Sequence, residues 1–319
     1  MSDESEFFRS LSGMARKLRF VPHARTLISI TCRTIQGRFL LRPGPRLNDI
    51  VLGVLGRAQR RYETTISAFS ALSSHFHLLL VVDSASEAAD FMRYTKSKLA
   101  REVNRLTGWR GPVFDRRYEM TVVTDEDAAQ IERLAYVLSQ SVKENLVERV
   151  CQWPGVHCAG ALIQGTPLVG HWFNRTLEFA SRLRGKDVGP IRYATVETVT
   201  FSPIPCWAHL SPEVYRARIV EMVESIEAEA ARERERTGAR VLGAKAILAS
   251  DPLHRPSSLA QSPAPRVHAA TKAARRAFYE IYAAFVGAFR EASERLRRGD
   301  RNAPFPAGSF PPALPFVAG

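Results

Sequence analysis

The stretch SSHFHLLLVV, residues 73–82, places two imidazoles, His75 and His77, two residues apart at the head of an apolar run. On a strand, residues i and i+2 share a face about 7 Å apart, so both rings can converge on one ion. Phe76 between them then packs on the opposite side. Taken alone, such a pair is far more often two ordinary strand residues than two ligands of a metal. A second constellation lies in AYVLSQSVKENLV, where Tyr136 and Gln140 are four residues apart and share one helix face. A helix packed on the sheet could turn a phenol nucleophile and an amide oxygen toward the two histidines. The alternative for these two residues is a core tyrosine with an exposed glutamine.

Taken together, the pattern resembles the HUH-type single-tyrosine transposases, the single-strand insertion-sequence enzymes and their REP-associated relatives. The resemblance rests on His75-Phe76-His77 followed by Leu78-Leu79-Leu80, on Tyr136-Val137-Leu138-Ser139-Gln140 as a Tyr-Ile-x-x-Asn/Gln motif, and on the segment VFDRRYEMTVVTDED between them. It spans about residues 22–150. Two positions depart from it. Ser74 stands where Asn commonly precedes the first His, and Gln140-Ser141 replaces the Asn-Pro of REP-associated members.

The resemblance implies a metal-dependent endonuclease and strand transferase acting on single-stranded or hairpin DNA. His75, His77 and Gln140 would hold Mg²⁺ or Mn²⁺, and Tyr136 would attack the scissile phosphate to leave a 5′-phosphotyrosine and a 3′-hydroxyl. An ion there offsets charge that develops at the phosphate. No side chain stands out as a general base, which leaves water or the phosphate itself.

The elements that must position these residues are legible in outline. TLISITCRT (26–34) reads as a strand, IVLGVLGRAQRRY (50–62) as a helix, and TTISAFSAL (64–72) and HFHLLLVVD (75–83) as a hairpin joined at Ser73-Ser74. A Ser-capped helix over 84–109, a strand over 113–124 and a helix over 125–150 follow. The order β-α-β-β-α-β predicts an α+β fold with a ferredoxin-like split sheet and a nucleophile-bearing helix. This places a catalytic domain at 22–150 and an accessory region at 151–319, irregular at first and then helical. In that region IRYATVETVTF suggests a short strand, and helices are expected over 212–238 and 268–299. The stripe Phe278, Tyr282, Phe285 and Phe289 reads as core. A linker is expected over 250–267, and an extended Pro/Phe-rich tail closes the chain.

Charge points to the partner. Among 319 residues, Lys+Arg number 45 against 32 Asp+Glu, a formal net charge of +13 spread over both halves. Such a field favours a polyanion, nucleic acid before an anionic membrane surface. Arg116 and Arg117, placed on the strand before the nucleophile helix, are candidate phosphate contacts, and Lys96, Lys98 and Arg101 form a basic group whose other reading is a solvated helix face. Trp109 or Tyr118 could stack on a base or simply pack. No apolar run approaches the length of a membrane span, and the acidic start MSDESEFF lacks a secretory h-region, so a cytoplasmic protein is expected. The four cysteines (Cys32, Cys151, Cys158, Cys206) lack paired C-x-x-C spacing and read as reduced thiols. Three other readings stay open: a domesticated, non-catalytic DNA-binding regulator, a replication-type nickase, and a metal-free interaction protein. A homodimer is also left open.

Overall fold

A computed structural model describes residues 18–185, 189–257 and 265–313. The N-terminal start, much of the expected linker and the end of the tail lie outside the described residues. β1 (Thr26–Arg33) is buried on both faces over most of its length, which its alternating β-branched and apolar residues permit. α1 (Pro45–Tyr62) begins ahead of the Ile50 start suggested by apolar spacing, because Pro45 fits the first helical turn, where an N–H has no intrahelical partner. Asn48, inside the first turns of α1, donates to the Pro154 carbonyl at 2.8 Å. β2 (Thr65–Ala71) and β3 (His75–Val82) form the expected hairpin. α2 (Ala85–Thr107) is capped by Ser84, whose Oγ accepts from the Glu87 N–H, and ends at Gly108 with φ 69°.

β4 (Glu119–Val123) is shorter than the 113–124 strand expected. Phe114 makes only an isolated bridge to Thr34, and Lys96 Nζ donates to the Arg116 carbonyl at 2.6 Å, so a side chain rather than a ladder satisfies that backbone. α3 (Asp127–Lys143) also stops short of residue 150. Asn145 takes a left-handed φ of 52°, and the N–H groups of Leu146 and Val147 turn back to the Ser141 carbonyl at 3.1 and 3.2 Å. The chain continues through α4 (Ala159–Gln164), β5 (Leu168–Phe173), α5 (Arg175–Leu183), β6 (Ala194–Val199), α6 (Pro212–Thr237), α7 (Ala244–Ala249), β7 (Val267–His268) and α8 (Lys272–Arg297). The strand suggested near 191–201 exists as β6, while its partner β5 was not anticipated.

The protein is thus α+β. One sheet has the order β2-β3-β1-β4-β7, antiparallel except for the β4–β7 pair, and β5–β6 form a separate antiparallel ribbon. Strand alternation divides the core. Ile28, Ile30, Leu78 and Leu80 pack with Val54 of α1, Phe91 of α2 and Phe278, Tyr282 and Phe285 of α8. Phe289, the last of the stripe, is half-buried and meets Phe305. Leu27, Leu79 and Val81 pack on the other side with Leu134, Val137 and Leu138 of α3 and Ile219 of α6. Both clusters draw on residues before and after 150. The ribbon is seated backbone to backbone: a Cβ on Gly53 would lie 2.0 Å from the His171 carbonyl oxygen, and one on Gly170 would lie 2.3 Å from that of Asp49. Among the described residues, no helix is long and apolar enough to cross a membrane.

Candidate active site

β3 alternation sends Phe76, Leu78 and Leu80 into the α1/α2/α8 core and leaves His75 and His77 on the α3 face. Register then determines their neighbours, because Thr31 stands opposite His77 and Arg33 opposite His75 on β1. The His75 and His77 rings meet edge to face, with centroids 4.9 Å apart. Thr31 Oγ1 shares a 3.0 Å hydrogen bond with His77 Nδ1, and Ser74 Oγ one of 3.0 Å with His75 Nδ1. Ser74, the departure from the resembled pattern, is therefore the residue that orients the first imidazole. With both Nδ1 atoms engaged, the Nε2 atoms are those left for a ligand.

α3 brings the second constellation to the same place. Tyr136 lies edge to face with His77 at 5.3 Å between ring centroids. Gln140 is buried, and its Nε2 donates to the Tyr136 carbonyl at 2.6 Å, which leaves the amide oxygen as the acceptor on offer. Arg133 places its guanidinium 4.4 Å from the centre of the Tyr136 ring, and Lys143 its ammonium 5.6 Å from it. These positions follow one flank of the helix at spacings of three, four and three residues.

The electrostatics favour neutral imidazoles. Burial lowers His75 to about 4, with Arg33 adding to the effect. Burial also pushes His77 well below the usual imidazole range, reinforced by His75, Arg133 and Arg33, while a contact with Gln140 opposes this slightly. Neutral rings are the form a metal needs. His77 Nε2 is buried without a hydrogen-bond partner of good geometry, Gln140 included. An orphaned ring nitrogen of this kind is costly unless a ligand occupies it, and in the tautomer that carries its proton on Nδ1 it is free to accept a cation. Among the described residues, no group of three or more His, Cys, Asp and Glu side chains is placed to hold an ion.

The basic residues singled out from sequence separate. Arg116 and Arg117 lie in the exposed loop before β4, not on a strand, and Lys96 holds that loop through the Arg116 carbonyl. Arg116 lies 3.3 Å from Asp115. Lys98 points elsewhere, over Tyr94 and Trp172 at 5.6 and 5.9 Å. Trp109 is half-buried under Arg38, and Tyr118 is buried. Sequence reading missed Arg133 and Lys143, although their helical spacing from Tyr136 signals them. It also missed Thr31 and Arg33, which only strand register brings to the histidines.

No protein-family model and no curated protein matches this chain. Among solved structures, a REP-associated tyrosine transposase bound to a REP hairpin is similar at 14% identity, with a TM-score of 0.40, over 47% of this chain and 86% of that one. A candidate transposase from Deinococcus radiodurans R1 is similar at 18% identity and a TM-score of 0.27, over 39% of this chain and 96% of that one. At these scores the functional reading rests on the side chains of this protein.

Proposed function

We propose that this protein is a metal-dependent single-stranded DNA endonuclease and strand transferase of the tyrosine transposase type. The observation that carries the reading is the meeting of the buried, unpartnered His77 Nε2 with Tyr136 and Gln140 on a packed helix. His75, His77 and the Gln140 oxygen would hold Mg²⁺ or Mn²⁺, and the ion, when bound, supplies Lewis-acid polarisation of the scissile phosphate. The Tyr136 oxygen attacks phosphorus and loses its proton, while the bond from phosphorus to the 3′ oxygen breaks and that oxygen leaves protonated as a 3′-hydroxyl. The 5′-phosphotyrosine conserves the bond energy, so a second strand's 3′-hydroxyl can reverse the step without ATP. Arg133 and Lys143 stabilise negative charge as it develops beside the ring.

The strand order β2-β3-β1-β4 supports reading the main sheet as ferredoxin-like, with β7 as an added edge strand. On this reading residues 22–150 supply the chemistry and residues 151–319 are accessory, built onto the same cores. Arg116, Arg117 and Lys96 serve DNA binding at the β4 loop, and Lys98 contacts DNA separately if at all. The test is incubation of labelled single-stranded hairpins with Mn²⁺. A covalent protein–DNA adduct, absent in Tyr136→Phe, is expected. Tight hairpin binding with no adduct across a broad hairpin library would instead support the non-catalytic DNA-binding regulator.

A further inference from the structure

A groove of about 310 Å³ opens at the β4–β7 edge of the sheet. Its floor is apolar and aromatic, formed by Phe20, Met120, Phe278 and Tyr282. Met120 pairs with Ile30, and the floor belongs to the α1/α2/α8 core, so the groove lies across the sheet from Tyr136. Arg19, Arg116, Arg117 and Arg266 line it, and the carboxylate among its lining residues is Glu119.

Three features of this lining point to an anionic ligand. Among the described residues, Arg19 and Arg117 make no ion pair, although Arg19 is partly buried and its charge is disfavoured by burial and by Arg117. Arg19 instead lies 3.9 Å over the Tyr118 ring. Tyr118 is only 8% exposed, and its hydroxyl is buried with no hydrogen-bond partner. Burial pushes that phenol up to about 12, so it stays a donor at neutral pH. Clustered cations beside a donor with nothing to donate to are the complement of a phosphate. Arg266 covers the buried Tyr282 ring at 4.7 Å and donates to its hydroxyl, so its planar guanidinium, not the ring beneath, is the surface on which a base can stack.

We propose that this groove binds one nucleotide unit of single-stranded DNA, with its phosphodiester at Arg19, Arg117 and the Tyr118 hydroxyl and its base against the Arg266 guanidinium and the half-buried Phe20 ring. The site rests on the reading of the protein as acting on single-stranded DNA, and it is a subsite remote from the scissile phosphate. β7 is only two residues long, so a strand held here passes around a short sheet edge toward α3.

The experiment measures binding rather than cleavage, with a labelled single-stranded oligonucleotide and the Tyr136→Phe protein as background. Arg19→Ala should weaken binding about tenfold and reduce the slope of log affinity against log salt by about 0.7, as loss of one phosphate contact does. Tyr118→Phe keeps the ring and its packing and should weaken binding about threefold with the salt slope unchanged. Folding of each variant is checked by its melting temperature. Binding within experimental error of the background protein in both folded variants would overturn the groove. Displacement of the oligonucleotide by a poly-glutamate peptide as readily as by a competing oligonucleotide would also overturn it, assigning an acidic protein partner instead. Normal adduct formation in the wild type alongside unchanged binding in both variants removes the groove and keeps the nuclease. Absence of adduct alongside the expected binding losses does the reverse.

Discussion

His77 on β3 and Tyr136 on α3, fifty-nine residues apart in sequence, meet edge to face at 5.3 Å between ring centroids. The contact joins the candidate metal ligand to the candidate nucleophile through the packed interface of sheet and helix. A variant that disturbs either element therefore reports on both.

Thr31 orients His77 through its 3.0 Å bond to Nδ1. Thr31→Val keeps shape and removes that bond, so metal-dependent adduct formation should fall about 10- to 100-fold, as for other partners of ligating imidazoles. Stability should drop by about 1 kcal/mol. Rates of adduct formation across a Mn²⁺ titration check this, and an unchanged titration would remove Thr31 from the site.

Arg133 stacks on Tyr136 and has a buried Nε with no partner. Arg133→Met retains much of the aliphatic packing but no charge. Adduct formation should slow about 100-fold, the scale of losing one preorganised electrostatic donor. Affinity for single-stranded DNA should change far less. Equal losses in rate and affinity would make Arg133 a DNA-binding residue instead.

Acid sensitivity follows from buried imidazoles. Burial lowers both His75 and His157 to about 4, and His157 Nδ1 accepts from the Ala159 N–H at 3.1 Å, which requires a neutral ring. An unfolded imidazole titrates at about 6.5. Between these values the unfolded chain binds protons that the folded chain refuses, so this stability is complete above about pH 6.5 and is lost as pH falls toward about 4. The urea midpoint, measured against pH, should be level near neutrality and decline through that window. His157→Gln should decline less steeply, and a wild-type midpoint level down to about pH 4.5 would contradict the assignment.

Gly53 tests how the ribbon is seated. Its added Cβ would meet backbone, not a flexible side chain, so Gly53→Ala must separate α1 from β5. A loss of about 1–3 kcal/mol is expected in equilibrium unfolding. The β3–α3 site lies across the sheet, so adduct formation per folded molecule should hold.

Much of the site was legible because its spacing is local. A two-residue step shares a strand face and a four-residue step shares a helix face, so His75 with His77 and Tyr136 with Gln140 could be paired from sequence. The same rule would have added Arg133 and Lys143 had the helix face been read further. Strand and helix ends were less legible. The Lys96 contact with the Arg116 carbonyl shortens β4, and Asn145 in a left-handed conformation ends α3; neither follows from periodicity. β5 escaped notice because its stability comes from docking on α1 at Gly53 and Gly170 rather than from its own pattern.

The periodic elements, the basic charge and the side chains that share a face could be read from residue order, since these depend on backbone repeat and composition alone. The tertiary structure decided that the two constellations face each other, because that depends on register and packing. Thr31 reaches His77 only through the β1–β3 pairing, Tyr136 reaches it only because α3 packs on that face, and Arg19 meets Tyr118 only where distant segments converge at the sheet edge.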